Sequence, residues 1–317
     1  MIAGEYAVLR PGGACVAVAV GAVVSGVLGE VAAAPRVVLS AFGHTSVFDA
    51  YDRGDARAPD GLGAFAANAL AFLSHRYGVR LQRHWNFAVR ADHNGAKVGL
   101  GSSAAVTVAA IRAAVASNST STILGDWNAE TVSECARQVH NAMQGSRGSG
   151  YDVTTIAHGG VIAYARGPDR ATELPWPSDL HAAALFCGTP SATQAALASE
   201  PIASTDLDAI QTAADAVLQA WLHMDAQAIC AAIGQAEAAF EQAAHSKPAL
   251  TPVALETVKS FIRSRACVAR TSGAGGGDCV LAFADRADKI VKIVADWRAS
   301  GGYVAAILPA ELAARTA

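Results

Sequence analysis

Two glycine-rich segments, each set between apolar runs, restrict what this chain can fold into more than any other feature. In KVGLGSSAAVTVAAI, residues 97–111, Gly99 and Gly101 precede Ser102 and Ser103 at the start of a long helical pattern in which Val108, Ile111 and Val115 recur at helix spacing. In RTSGAGGGDCVLAF, residues 270–283, Gly273, Gly275, Gly276 and Gly277 stand between two apolar strands. Each glycine adds an entropic cost on folding, so a run of four fits a place where several backbone N–H groups converge on an anion. A helix start offers the same chemistry through its free N–H groups and dipole, and a serine hydroxyl there can ligate magnesium. Neither segment is a Walker A loop, because no GK[ST] follows the glycines. A tight turn with a serine cap, and a wide loop between strands, are the purely structural alternatives.

Strands and helices alternate along the rest of the chain without a regular repeat, which predicts an α+β protein. VAVAVGAVVSGVL and PRVVLSAF read as strands, and Pro11–Gly29, uncharged but broken by glycines, reads as two buried strands rather than a membrane helix. HWNFAVRAD places Trp85, Phe87 and Val89 on one face at strand period. Helices are expected over GLGAFAANALAFLSHRYG, residues 61–78, and about Ala129–Met143, with VIAYAR as the strand that follows. The turn PWPSD marks the expected boundary between domains at 1–177 and 178–317. Beyond it lie a strand, HAAALFCG, Ala-rich helices between about Asp206 and Arg265, a strand pair around the second glycine loop, a helix and a last strand, YVAAIL.

The chain is 52% hydrophobic, 16% charged and carries a formal net charge of -3, with no Lys/Arg run. That balance excludes a nucleic-acid or anionic-membrane surface and favours small-molecule partners. The six cysteines are dispersed, with no CxxC pair, and read as reduced core residues of a cytoplasmic protein. A third segment, QGSRGSGYDVTTIAHGG, residues 144–160, places Asp152 after Gly148, Ser149 and Gly150 and before a short apolar helix. Its structural alternative is an acidic helix cap. Nothing in this segment is spaced as a metal-ligand set or a Ser/His/Asp triad.

GEYAVL at 4–9, GLGSSAA at 99–105 and SGAGGGDC at 272–279 resemble, in order, the three motifs of the GHMP small-molecule kinases. Within that superfamily the chain most resembles the phosphomevalonate kinases, through GEYAVL itself, GSGYDV, GTPSAT at 188–193 and the Asp278-Cys279 ending. The resemblance implies an N-terminal domain like the second domain of ribosomal protein S5, a ferredoxin-like C-terminal domain, and ATP bound in the cleft between them. It also implies transfer of the ATP γ-phosphoryl group to (R)-5-phosphomevalonate in isoprenoid biosynthesis, with Mg²⁺, by a monomer or homodimer.

By the same resemblance Asp152 is the active-site aspartate, and Lys97, Gly99, Leu100, Gly101, Ser102, Ser103 and Ala104 bind ATP, Ser103 also ligating the metal. The acceptor is expected to meet Glu5, Tyr6, His140, Gln144, Arg147, Ser149 and Gly150, together with Ser272, Gly273, Ala274, Gly275, Gly276 and Asp278 of the third motif. Two anions must be brought together, so Lys97, Arg147 and Arg270 are the cations expected to line the pocket.

The departure is at the opening. The family carries a PGK segment just ahead of this motif, and aligned on Ile2 its lysine would fall just before Met1. The expectation is a start assigned too far downstream, because the first strand also begins mid-pattern. The rival readings are another GHMP kinase, such as one acting on mevalonate, and a nucleotide or metabolite sensor that has lost the lysine.

Overall fold

A computed structural model describes residues 1–21, 24–49, 61–90, 92–118, 127–146, 148–167, 170–189, 202–245 and 247–309. Along them run strands β1 (Ala14–Val18), β2 (Val24–Val31), β3 (Arg36–Ala41) and β4 (His44–Asp49), then helix α1 (Leu62–Tyr77) and β5 (Arg83–Val89). Two short strands, β6 (Asp92–His93) and β7 (Ala96–Lys97), lead to helices α2 (Ser102–Ser117), α3 (Ala129–Met143) and α4 (Tyr151–His158). Strands β8 (Val161–Ala165), β9 (Arg170–Leu174) and β10 (His181–Phe186) follow, then helices α5 (Ser204–Leu222), α6 (Ala226–Ala244) and α7 (Val253–Arg263). The described chain closes with β11 (Val268–Thr271), β12 (Cys279–Ala284), α8 (Ala287–Ala299) and β13 (Val304–Leu308). The fold class is α+β, as the sequence predicts.

The chain divides into two compact units. One comprises Ala22–Ala96 and Leu100–Gly159; the other comprises Met1–Gly21, Lys97–Gly99 and Gly160–Ala317. The first has a sheet ordered β2-β5-β3-β4, in which β5 runs parallel to β3 and antiparallel to β2. Trp85, Phe87 and Val89 are all buried, so the strand-period reading of β5 holds. Helix α3 starts where Asn128 accepts a hydrogen bond from the Thr131 amide at 3.0 Å, a side-chain cap that ends the loop before it. Strands β3 and β4 join through Phe42 and Gly43, both at positive φ, the backbone of a two-residue hairpin turn.

Strand β2 corrects one expectation. It is an edge strand with Val27 66% and Val31 68% exposed, so only β1 of the two strands predicted in Pro11–Gly29 is buried. Valine content there reflects β propensity rather than burial.

The second unit holds two antiparallel sheets, ordered β1-β8-β9 and β11-β12-β10-β13. Helices α7 and α8 cover the larger one through Leu255, Val258, Ile262, Ile290 and Ile293, packed on Leu185, Val280 and Ala282. The opening segment is not a strand. Ala3 makes a single bridge to Val16, and the chain then turns through Tyr6 at φ 60 into a 3₁₀ turn over Ala7–Leu9. The PWPSD turn packs within this unit, where Trp221 Nε1 donates to the Pro175 carbonyl at 2.8 Å. None of the six cysteines is in a disulfide. Among the described residues no helix is long and apolar enough to cross a membrane.

Candidate functional site

In the unit carrying α1–α4, three elements bring polar groups together. Helix α2 begins after Gly101 and helix α4 after Gly150; both glycines are left-handed, and neither helix has a side-chain cap. Neither cap residue, being glycine, can satisfy a first-turn N–H group through a side chain. From the last turn of α3, His140 reaches between them. Its Nε2 shares a hydrogen bond with Ser103 Oγ at 3.2 Å, and its Nδ1 lies 3.7 Å from Asp152 Oδ2.

The imidazole is 1% exposed and lies against the Phe65 ring, whereas the Asp152 side chain is 27% exposed. Asp152 also accepts from the Val153 amide at 2.9 Å, so its carboxylate sits in the first turn of α4 rather than at the cap position, which Gly150 holds. A negative charge there is favoured by the helix dipole. Ser102 Oγ is buried and has no hydrogen-bond partner. Gln144 and Asn141 turn their side-chain oxygens toward Gly148: a Cβ on that residue would fall 2.4 and 2.5 Å from them.

In the other unit the second glycine loop is fixed from several directions. Tyr6 donates its hydroxyl hydrogen to the Ala274 carbonyl at 2.6 Å, and the Gly276 amide donates to the Leu250 carbonyl at 2.8 Å. Gly275 has no room for a side chain; a Cβ would fall 2.7 Å from the Leu250 oxygen and 2.8 Å from the Phe240 ring. Asp278, at φ 62, donates its amide to Thr189 and accepts from the Cys187 amide, both at 2.8 Å. Its side chain lies against Gly99, where a Cβ would fall 2.1 Å from the Asp278 carboxyl carbon. The glycine in the GLG segment is thus demanded by close approach as well as by its φ of 72.

Beneath the loop lies a buried ionic network. Arg270 is ion-paired with Glu5 and with Glu237, the latter at 2.6 Å, and donates through Nε to the Ile2 carbonyl at 2.7 Å. Lys259 joins Glu237, Glu241 and Glu256 at 2.9, 2.8 and 2.6 Å. Burial opposes the charged form of Glu237, but the Arg270 and Lys259 cations and the Thr271 amide together hold its carboxyl at about 2. Burial pushes the Glu5 carboxyl the other way, above its ordinary value, against the pull of Arg270.

The family model of the GHMP kinases N terminal domain matches residues 64–160, and that of the GHMP kinases C terminal domain matches 225–302, together more than half of the chain. The chain belongs to the GHMP kinase family. A search of curated proteins returned no match. Among solved structures, the Lin0012 protein of Listeria innocua has a TM-score of 0.78 at 22% identity, covering 96% of this chain and 93% of that one. Streptococcus pneumoniae phosphomevalonate kinase, in complex with phosphomevalonate and AMPPNP, has a TM-score of 0.77 at 19% identity over 96% and 95%. Methanococcus jannaschii mevalonate kinase has a TM-score of 0.74 at 12% identity over 96% and 93%. At these identities the likeness is one of fold.

In this GHMP kinase, Leu100, Gly101, Ser102, Ser103, Ala104, His140, Gln144, Ser149, Gly150 and Asp152 belong to one unit. Glu5, Tyr6, Lys97, Gly99 and Ser272–Asp278 belong to the other. Arg147 and residues 190–193 of GTPSAT lie outside the described residues. Arg270 corrects an expectation: at 1% exposure, with its donors taken by Glu5, Glu237 and Ile2, it does not line a pocket. Glu237 has no local sequence signature: it is one of two acids, with Glu241, in an Ala-rich helix, and its partners are 22 to 34 residues away.

Proposed function

We propose that this GHMP kinase transfers the ATP γ-phosphoryl group to (R)-5-phosphomevalonate. The observation that carries the reading is the meeting of Ser103, His140 and Asp152 at two helix N-termini without side-chain caps. Phosphoryl transfer needs positioning and charge neutralisation rather than covalent chemistry. Backbone N–H groups of the α2 first turn bind the nucleotide phosphates, with Ser102 Oγ, buried and unpartnered, as a further donor. The acceptor is already an ionised phosphate, so Asp152 orients it and receives at most one proton. His140 shares a hydrogen bond with Ser103 and stands beside Asp152.

A Mg²⁺ ion fits this donor set. Among the described residues no group of three His, Cys, Asp or Glu side chains could hold a metal alone, but Mg²⁺ in such enzymes takes one or two protein oxygens and completes its shell with phosphates and water. Ser103 Oγ and the Asp152 carboxylate would hold it, and it would neutralise charge on the phosphates.

The acceptor assignment rests on GEYAVL, GSGYDV and the Asp278-Cys279 ending. Coupled ADP release with mevalonate, phosphomevalonate or homoserine as sole acceptor tests it. Phosphomevalonate should be turned over far faster than the other two, because a site built for an anion leaves its donors unpaired without one. Equal rates with mevalonate would replace the acceptor and leave the kinase standing. ATP binding with no ADP from any acceptor would favour the sensor reading.

A further inference from the structure

The glycine loop over Ser272–Gly277 begins at Thr271, and Thr271 is held by a residue of a different element. Glu237, 2% exposed on α6, accepts from the Thr271 amide through Oε2 at 2.8 Å and from the Thr271 hydroxyl through Oε1 at 2.7 Å. The same two oxygens take Arg270 Nη1 at 2.6 Å and Lys259 Nζ at 2.9 Å. Both oxygens are thus engaged by two donors each, and the carboxylate cannot turn without breaking a bond to the loop's first residue.

A buried ion pair is by itself weak grounds for a role, since it often contributes little to stability. Here the geometry adds something an ion pair alone does not need. The two bonds to Thr271 fix both the backbone and the χ1 of the residue that launches the loop. At the far end, Asp278 is fixed by Thr189 and Cys187 through backbone bonds. Between the ends, Tyr6 and Leu250 hold Ala274 and Gly276. Of these tethers, Glu237 is the one made by an ionised side chain. It also reaches Arg270, which carries Ile2 and Glu5 on its other side, so the first motif and the third hang on one carboxylate.

We propose that Glu237 is a positioning residue for phosphoryl transfer: it presets the path of the glycine loop by gripping Thr271, and touches no substrate itself. This rests on the proposed kinase reading and on the resemblance of SGAGGGDC to the third GHMP motif, whose residues the acceptor is expected to meet. A misplacement of about 1 Å at such a site can cost on the order of 100-fold in rate.

The test compares Glu237→Gln, which keeps the shape and removes the charge, with Thr271→Val, which removes only the hydroxyl bond. Leu255→Ala, a cavity in the core of the same unit that leaves both bonds from Glu237 to Thr271 in place, serves as a destabilised reference. Amide hydrogen exchange across 271–277 and kcat and KM for the acceptor are measured at denaturant or temperature settings that equalise global stability.

We expect exchange in the loop to rise roughly tenfold or more in Glu237→Gln and by a smaller factor in Thr271→Val, with kcat/KM falling in the same order and the loss shared by kcat. Leu255→Ala should leave both readouts within about twofold of the parent. Loop exchange and kcat/KM in both polar variants indistinguishable from Leu255→Ala would overturn the proposal, leaving Glu237 as a buried ion pair of the core. If the parent protein transfers no phosphoryl group, the functional reading fails, and the exchange comparison still decides whether Glu237 holds the loop.

Discussion

In the unit of α1–α4, Ser103, His140 and Asp152 stand at two helix ends with the carboxylate partly open to solvent and Ser102 Oγ unpartnered. In the other unit, Glu5, Arg270, Glu237 and Lys259 are all nearly inaccessible, and Arg270, Glu237 and Lys259 have their charges closely paired. Both clusters are made of residue types that catalyse, and both adjoin a family motif. What separates them is access. A cluster closed to solvent shapes the chain around it, whereas a cluster with an accessible carboxylate beside an unpartnered hydroxyl is suited to a ligand.

The largest effect that would sharpen this contrast is on stability. Arg270→Met leaves Glu5 and part of Glu237 buried beside an apolar side chain, and urea unfolding should show a loss of about 3–5 kcal/mol. A loss below about 1 kcal/mol, the scale of an exposed pair, would break the contrast.

Acid unfolding gives a second, smaller signature. The Glu237 carboxyl is held at about 2 against an ordinary 4.5, so the folded state binds its proton more weakly than the unfolded chain does. Its contribution is complete above pH 4.5 and is lost as the pH falls toward 2. The urea midpoint of the parent should therefore drop more steeply across that window than that of Glu237→Gln, while Glu5, shifted the opposite way, is present in both proteins. Parallel acid limbs would remove Glu237 from the account.

Ser102→Ala is the smallest structural change and probes the open cluster. Its hydroxyl is buried without a partner, so removing it should alter stability by less than about 0.5 kcal/mol. Nucleotide affinity, followed by calorimetry, should nevertheless fall severalfold. A stability loss with unchanged affinity would make Ser102 part of the frame.

Sequence patterns reveal local features of the fold and lose the long-range ones. Helix α3 runs over Ala129–Met143 as expected because an amphipathic period and a capping Asn128 are both local. Strands β4 and β9 escaped notice: β4 follows a hairpin turn whose left-handed first residue is Phe42, not the usual Asn or Asp, and β9, RATEL, has one buried residue, Leu174. The glycine segments marked both motif loops. Which of the neighbouring charges face outward was not legible, since Glu5 meets Arg270 only after the chain has folded across more than 260 residues. Glu237 has no local signature at all.

The most direct measurement is turnover and unfolding of Asp152→Asn on the same preparation. The substitution keeps the side-chain shape at a partly exposed position, so urea unfolding should show a loss of no more than about 1 kcal/mol, the scale of one charge at a helix N-terminus. ADP release with phosphomevalonate should fall roughly 10²- to 10⁴-fold if Asp152 takes part in proton transfer, and by less if it only orients the acceptor. Unchanged turnover would contradict the account.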